Sequence, residues 1–129
     1  MKILKIKIII PLIILGSSVN CKAQSQFTKL NTYINQIEGT WISQDNSNHK
    51  IEFSSEGTYK VYIESSLIST NTYTLTTSCS SNPNNGYDIY LRIKNDNDMI
   101  VCNIINNISM NSKGETILSL ITERSKLEI

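Results

Sequence analysis

Residues 51–63 have the sequence IEFSSEGTYKVYI, in which two runs of alternating apolar and polar residues flank a short polar segment. An alternation with a period of two is typical of a β-strand that buries one face. Gly57 comes last in the polar segment, at a position where a tight hairpin turn favours a positive φ angle. The segment therefore predicts two antiparallel strands, whose inward residues are Ile51, Phe53, Tyr59, Val61 and Ile63.

The same alternation recurs along the rest of the chain, between polar turns such as Asn95–Asp98. It predicts further strands over residues 67–77, 87–93, 100–104, 108–110, 117–121 and 127–129. We expect Cys102 to face inward together with Ile100 and Ile104, and a bend to follow at residues 106–107. No long helix interrupts the strands, which excludes folds built on parallel crossovers. The predicted fold class is all-β, a small antiparallel meander β-barrel of about eight strands.

A different pattern precedes the strands, because apolar residues between Ser25 and Glu38 recur at spacings of three and four. This is the stripe of a short amphipathic α-helix with one face to bury, and Gly39 is placed to end it. The stripe predicted to be buried consists of Phe27, Leu30, Ile34 and Ile37. We therefore expect the barrel to carry a short N-terminal α-helix.

The first twenty residues have the three regions of a secretory signal peptide. Residues 1–7 are cationic, residues 8–15 are apolar, and residues 16–20 are small or polar. The apolar run is less than half of the roughly 20 residues that a membrane-spanning helix needs. We therefore predict that residues 1–20 are removed on export and that residues 24–129 form one barrel domain.

Two cleavage sites compete at the end of this segment. The run Ser18-Val19-Asn20-Cys21 resembles a bacterial lipobox, in which the cysteine is acylated and becomes the first residue of the mature protein. Cleavage after Ala23 by ordinary signal peptidase is the alternative. The run from Asn20 to Gln24 looks like the export segments of Bacteroidota envelope proteins. The predicted location is an outer-membrane lipoprotein that faces the periplasm, held by its lipid alone, or a soluble periplasmic or secreted protein.

Export leaves one pair of cysteines and a slightly acidic chain. Three of the twelve Lys and Arg residues lie in residues 1–7, so nine remain against eleven Asp and Glu residues, a net charge of −2. No basic patch is expected for nucleic acid or for an anionic membrane surface. Cys79 and Cys102 are the cysteines left once Cys21 is acylated or removed, and in an exported protein they predict a disulfide. The alternative is two separate buried thiols.

The residues at the predicted helix end resemble a known family. Gly39-Thr40-Trp41 places a Gly-x-Trp motif at the first strand, and Ile51-x-Phe53 and the hairpin turn follow it. This order resembles the lipocalin-like domains of bacterial envelope proteins. The resemblance implies that Gly39 and Trp41 form a structural plug at one end of the barrel, stacked against an arginine from a late strand, for which Arg124 is the match. The second lipocalin motif, Thr-Asp-Tyr, is missing.

The sequence holds few side chains that could carry a reaction. His49 is the only histidine and lacks the second histidine, cysteine or clustered carboxylates of a zinc site. Asp96-Asn97-Asp98 lacks the glycine and the distal glutamate of a calcium loop, so a hairpin turn is predicted there. The serines have no histidine base at a recognisable spacing. We predict no catalytic residue, no metal site and no cofactor.

Two kinds of binding surface remain. The barrel mouth could take a small apolar molecule, and its predicted ligand-facing residues, which could instead be plain core, are Tyr59, Val61, Tyr73, Leu75, Ile89 and Leu91. The alternative is an envelope interaction module with a filled barrel, which would use exposed Tyr62 and Tyr90 and the loop at residues 84–86. Trp41 is predicted to be a plug covered by the helix, or else a ligand-stacking residue. Any ligand is expected to enter at the end opposite to Trp41.

Overall fold

The structure is a computed structural model that describes residues 2–4, 21–79 and 84–122. Within these residues it contains one α-helix and eight β-strands. The elements are α1 (Cys21–Ile37), β1 (Lys2–Leu4), β2 (Gly39–Ser43), β3 (His49–Phe53), β4 (Thr58–Ile63), β5 (Ser66–Thr76), β6 (Tyr90–Lys94), β7 (Ile100–Met110) and β8 (Thr116–Thr122). The predicted strand at residues 127–129 and the predicted plug residue Arg124 lie outside the described residues.

The eight strands form a closed barrel in which the spatial order follows the chain. Every pair from β2–β3 to β7–β8 is antiparallel, as a meander requires. Closure leaves no sheet edge along the ring of strands. The predicted all-β barrel of about eight strands with one short helix is therefore confirmed, but the helix lies between β1 and β2 and not at the N-terminus.

One strand departs from the antiparallel expectation. β1 lies between β2 and β8 and is parallel to both. Because β2 to β8 are seven strands of alternating direction, β2 and β8 run the same way, and a strand between them has the same orientation to each. The expectation that all neighbours are antiparallel is wrong for β1. This strand also lies within the segment predicted to be a signal peptide, whose removal stays a prediction.

Short polar turns join β2 to β5 and β6 to β8, and asparagine side chains stabilise several of them. Asn95 Oδ1 accepts hydrogen bonds from the backbone N–H groups of Asn97, at 3.0 Å, and Met99, at 2.9 Å. Asn111 Oδ1 makes an equivalent pair of bonds in the β7–β8 turn, at 2.9 and 3.0 Å. Gly57 has a φ of 80° in the β3–β4 turn, which confirms the glycine requirement of that hairpin. Asparagine and glycine therefore mark the turns for local, physical reasons.

Strand β7 is continuous through the bend predicted at residues 106–107. Its pairing with β8 shifts register between Ile105 and Asn107, as in a β-bulge. Ile105 and Ile108 are both buried although they are three residues apart, because the bulge inserts one extra residue between two inward positions. The predicted bend is thus a bulge within one strand.

The pairing of β7 with β6 shows which of its residues face the interior. Leu91, which is fully buried in the core, is paired with Asn103, whereas Arg92 is paired with Cys102. Paired residues share a face of an antiparallel sheet, and successive residues alternate between faces. Cys102, with Ile100 and Ile104, therefore lies on the outer face. The prediction that these three face inward is wrong. Alternation shows that successive residues lie on opposite faces, but it does not show which face points to the core.

The barrel interior holds one hydrophobic core. Its fully buried large side chains are Ile37, Trp41, Phe53, Ile89, Leu91, Ile105 and Leu118. Ile37 and Tyr33 come from α1, so the helix contributes to the same cluster that fills the barrel. The helix therefore covers one end of the barrel.

The helix packs with a face that differs from the predicted stripe. Phe27 and Ile34 are 63% and 48% exposed, whereas Gln26 is buried. Gln26 tolerates burial because its side-chain amide donates to Asn84 Oδ1 at 3.1 Å and to the Asp88 carbonyl at 3.0 Å. The stripe prediction is wrong at Phe27 and Ile34, since a polar residue with partners occupies the buried position. No helix within the described residues has the length and apolarity needed to span a membrane.

The predicted disulfide joins Cys79 and Cys102. Their Cα atoms are 6.4 Å apart, within the usual range for a disulfide. Cys79 lies shortly after β5 and is buried, so the bond ties the segment after β5 to the outer face of β7. The prediction is confirmed, and the alternative of two separate thiols is wrong.

Loss of this disulfide should lower stability, because a cross-link that closes a loop of about this length restricts the unfolded chain. We expect the double variant Cys79→Ala/Cys102→Ala to lose about 3 kcal/mol of unfolding free energy, measured by urea denaturation under non-reducing conditions. Ser109→Ala is the matched control, since it changes an exposed residue of the same strand β7 outside the bond. An equal loss in the control and the double variant would contradict the assignment.

Candidate functional site

Three of the six residues predicted to face a ligand belong to the core. Ile89 and Leu91 are fully buried, and Leu75 is 9% exposed. All three pack in one cluster with Trp41 and Phe53. Protein interiors are packed about as densely as organic crystals, so the side chains of such a cluster fill the space that a ligand would need. This part of the barrel wall is core.

The other three residues, Tyr59, Val61 and Tyr73, are half-buried on inward positions of β4 and β5. Phe53 lies against both tyrosines, with its ring centroid 5.2 Å from that of Tyr59 and 4.9 Å from that of Tyr73. The Tyr73 hydroxyl donates to the Ser54 carbonyl at 2.7 Å. Burial raises the pKa of Tyr59. The aromatic side chains are therefore packed against one another at the edge of the core.

Trp41 lies in the core beside the last turn of α1. Its side chain has no exposed surface, and its Nε1 donates to the Ile37 carbonyl at 2.7 Å. Gly39 lies between these two residues with a φ of 119°, a conformation that residues with a side chain rarely adopt. The glycine therefore lets the chain turn from the helix into β2 so that the indole lies under the helix end.

A cation lies over the ring of Trp41. The Lys2 ammonium is 5.1 Å from the ring centroid and donates a hydrogen bond to the Glu38 carbonyl. A cation over an indole face is attracted by the ring quadrupole. Arg124, which the resemblance assigns to this contact, lies outside the described residues. In the part of the chain that the structure describes, β1 supplies a cation to this end of the barrel.

An apolar groove of about 210 Å³ lies where α1 meets the β3–β4 turn and β5. Its lining includes Ile34 and Ile37 from the helix, Gly57 from the turn, and Tyr73 and Leu75 from β5. Two residues predicted to face a ligand therefore line this groove. The groove lies at the end covered by the helix, whereas the predicted ligand entrance is at the opposite end.

A second groove, of about 330 Å³, lies where β5 passes the β6–β7 turn. Its polar lining consists of Thr58, Thr70, Asn71, Thr72, Lys94, Asn95, Asp96 and Asp98. Lys94 and Asp98 form an ion pair at 2.8 Å, and the hydrogen bond from Lys94 holds the pKa of Asp98 below its usual value. Exposed ion pairs of this kind contribute little to stability. The groove therefore offers hydroxyl, amide and carboxylate groups to the solvent.

The two tyrosines predicted to be exposed differ in their surroundings. Tyr90 is 2% exposed, so its predicted place on a contact surface is wrong. The alternation of β6 assigns Tyr90 to the outer face, but it does not show whether that face is open to water. Tyr62 is half-buried, with the Lys50 ammonium 5.2 Å from its ring centroid and its hydroxyl 3.4 Å from the Glu52 carboxylate.

Exposed apolar residues at two hairpin ends are absent from the sequence prediction. Leu67 and Ile68, in β5, are 53% and 57% exposed, and Met99, after the β6–β7 turn, is 62% exposed. We call these three residues the hairpin-end surface. A signal for them exists in the sequence, since Leu67-Ile68 and Met99-Ile100-Val101 are runs of adjacent apolar residues that one inward face cannot accommodate.

The described residues contain no group of three or more histidine, cysteine, aspartate or glutamate side chains that could hold a metal ion. His49 is exposed at the start of β3. Asp96-Asn97-Asp98 belongs to the β6–β7 turn, where Asp98 has a φ of 60°. The surfaces on which binding can be argued are therefore the two grooves, the hairpin-end surface and the end closed by Trp41.

Comparison with known proteins adds no constraint on these surfaces. The chain matches no protein-family model, no curated protein and no solved structure. The lipocalin-like resemblance therefore stays a prediction from the sequence.

Replacement of Trp41 distinguishes a plug from a ligand-stacking residue. We expect Trp41→Ala to lower the free energy of unfolding by roughly 3–5 kcal/mol, because a large, fully buried side chain is lost. Phe27→Ala, at an exposed position of α1, is the control and should change it by less than about 0.5 kcal/mol. Urea denaturation measures both. Unchanged stability of Trp41→Ala, together with loss of a bound ligand, would assign the tryptophan to a binding site.

Buried tyrosines predict a loss of stability at alkaline pH. Burial raises the pKa of Tyr33, Tyr59 and Tyr73 above the ordinary tyrosine value of 10.0. Their contribution to stability is complete below that value and is lost as the pH rises above it toward the folded pKa, because the unfolded chain ionises first. We expect Tyr59→Phe to lose less stability than the wild type between about pH 9 and pH 11.

Tyr87→Phe is the matched control for this titration, since Tyr87 is 54% exposed. Its urea midpoint should follow that of the wild type across the same pH range. A Tyr59→Phe variant that declines as steeply as the wild type would show that Tyr59 does not carry this dependence.

Proposed function

We propose that this protein is an exported, lipocalin-like protein of the bacterial cell envelope that is not an enzyme and binds another envelope protein through its exterior. The packed core supports the exterior over the interior. Trp41, Ile89 and Leu91 are fully buried where a ligand-carrying barrel has its cavity. A filled barrel leaves loops, grooves and outer faces for binding.

The cysteines support the proposed export. Disulfides persist in oxidising compartments such as the bacterial periplasm, and Cys79–Cys102 is such a bond. The lipobox-like run before Cys21 supports an outer-membrane lipoprotein that faces the periplasm. Cleavage after Ala23 would instead produce a soluble periplasmic or secreted protein. In the first case the lipid on Cys21 is the contact with the membrane.

The hairpin-end surface is the part of the exterior that best fits a protein partner. Leu67, Ile68 and Met99 are each more than half exposed. They lie close in sequence to Thr70 and Asp98, which line the polar groove of about 330 Å³. Exposed apolar side chains beside polar groups have the composition of a protein–protein contact, with an apolar centre and a polar rim.

A second candidate function is the binding of a small apolar molecule. The observation that favours it is the apolar groove of about 210 Å³ between α1 and β5. Tyr73 and Leu75, both predicted to face a ligand, line this groove. Its volume is below the roughly 300–1,000 Å³ of typical ligand pockets, so it suits a short apolar chain.

Native mass spectrometry of the exported protein separates the two candidates. We expect the mass of a chain that begins at acylated Cys21 or at Gln24, with one disulfide and no small molecule. A stoichiometric apolar ligand would favour the second candidate instead. A chain that keeps residues 1–20 would contradict the proposed export.

Photo-crosslinking tests exterior binding. A photoreactive phenylalanine in place of Leu67 should give one discrete protein adduct in envelope fractions. The same residue in place of Lys113, which is exposed on the β7–β8 turn, is the matched control and should give none. Absence of an adduct from Leu67, Ile68 and Met99 alike would contradict the hairpin-end surface as the contact.

A further inference from the structure

The strand β1 holds the barrel closed between two other strands. Ile3 is paired with Ile42 of β2 on one side and with Ile117 of β8 on the other. Leu4 is likewise paired with β2 and β8, and its carbonyl accepts a hydrogen bond from the Gln44 N–H at 2.9 Å. Three residues therefore provide the pairing between the first and last parts of the meander.

Either proposed cleavage removes β1. Cuts before Cys21 and after Ala23 both lie beyond Leu4, so the exported protein keeps β2 and β8 without the strand that joins them. Neighbouring strands lie about 4.7–4.9 Å apart, so β2 and β8 are separated by roughly 9.5 Å, too far to hydrogen-bond with each other. Export therefore opens a gap one strand wide. Among the residues that the structure describes, the facing edges of β2 and β8 then lack the backbone partners that β1 provides, and such edges are a template for an added strand.

Direct closure of this gap by β2 and β8 is opposed by the core. It would bring the two walls together by one strand width and leave a barrel of seven strands. Trp41 on β2 and Leu118 on β8 are both fully buried already. A densely packed interior does not yield that volume without expelling side chains.

One end of the gap has a binding position for a cation. The Lys2 ammonium donates to the Glu38 carbonyl and lies over the Trp41 ring. Glu38 follows the last residue of α1, and the last turn of that helix contains no basic side chain. The carbonyl end of a helix favours a positive charge. A basic side chain from the strand in the gap therefore balances the helix end and covers the indole.

Two residues farther along, the gap has a binding position for an aliphatic side chain. Leu4 packs against the hydrophobic core and is paired with Leu118. Ile3 lies between Lys2 and Leu4 and points to the opposite, outer face, because side chains alternate along a strand. The gap therefore discriminates between side chains at the first and third positions of an inserted segment, and much less at the second.

We propose that the exported protein binds an extended segment of a partner protein in this gap. A lysine or arginine of that segment takes the position of Lys2, and an aliphatic residue takes the position of Leu4. The segment lies parallel to β2 and β8, as β1 does. Addition of a strand to an open sheet edge is a general mode of peptide recognition. The inference rests on the export proposed above and adds a contact site to it.

The test uses the exported protein as the cell makes it, after its mass has shown the loss of residues 1–20. The probe is the peptide MKILKIK, which is residues 1–7. The readout is the fluorescence of Trp41, the only tryptophan of the chain. We expect a saturable change in emission, because the peptide lysine returns to the indole ring.

Three variant peptides test the two binding positions. A peptide with Lys2→Glu should bind at least about tenfold more weakly, because it loses the cation at the indole and the helix end. A peptide with Leu4→Asp should show no binding, since it would bury a carboxylate in the core. Ile3→Thr is the matched control, and its affinity should stay within about threefold because that side chain is on the outer face.

Three results would overturn the proposal. Absence of a fluorescence change at millimolar peptide, with slow hydrogen exchange in β2 and β8, would show that the barrel closes on itself. A dimer that must dissociate before the peptide binds would show a second copy in the gap. Peptide binding that appears only in a variant ending at Thr122 would show that residues 123–129 of the same chain occupy it.

The folding state of the exported protein is also informative. If it is unfolded alone but gains β-sheet circular dichroism with MKILKIK, the gap accepts the segment and the proposal is supported. If it stays unfolded with the peptide, the proposal is overturned.

Failure of this inference is distinguishable from failure of the proposed function. The crosslink at Leu67 reports on β5, which is four strands away from the gap on the opposite side of the barrel. An adduct at Leu67 without peptide binding would support the proposed function and reject the gap as a site. Retention of residues 1–20 by the exported protein would contradict export and this inference together.

Discussion

The hydrogen bond from the indole of Trp41 to the carbonyl of Ile37 joins the helix to the barrel. The last carbonyls of a helix lack partners within it, and a buried indole N–H also needs an acceptor, so one contact satisfies two groups. Gly39 makes the contact geometrically accessible through its positive φ angle. The position of the helix, the closure of this end of the barrel and the apolar groove beside Ile37 all depend on that arrangement.

The sequence was sufficient for the features that depend on local pattern. The period of two predicts β3 to β8 but not β1, Gly57 predicts the first hairpin, and the cysteine count predicts the disulfide. Each of these follows from the residues of one segment or from a simple count. Closure of the barrel does not follow from these patterns alone, because β1, which they do not predict, joins β2 to β8.

Features that depend on contacts between distant segments were not accessible in the same way. The inward phase of β7 is set by its register with β6, so Cys102 was assigned to the wrong face. The buried side of α1 is set by the partners of Gln26 in the segment at residues 84–88. Burial of Tyr90 is also a tertiary property. For the candidate site, the sequence predicts that the ligand-facing residues are apolar and point inward. It does not predict that Ile89 and Leu91 belong to the core whereas Tyr73 lines a groove.

Under the proposed function, the interior and exterior of this barrel have separate roles. Packed aromatic and aliphatic side chains occupy the interior, whereas exposed apolar residues lie on hairpin ends, and the gap proposed for the exported protein takes the place of β1, opposite β5. Leu67 and Ile68 on β5 are four strands from that gap and face a different direction, so one molecule could contact two partners or two parts of one partner. A small barrel with a filled interior acts in that case as a rigid adaptor.

The helical conformation of Cys21 has a consequence for the position of the protein at a membrane. Many anchored domains are joined to their lipid by a flexible tether that sets how far they reach. Here the acylated residue would itself be the first residue of a helix of 17 residues, about 26 Å long. The Gln26 contacts and the indole at the opposite end fix that helix to the barrel. The orientation of the barrel to the bilayer would then be set by the helix axis, and its reach would be short.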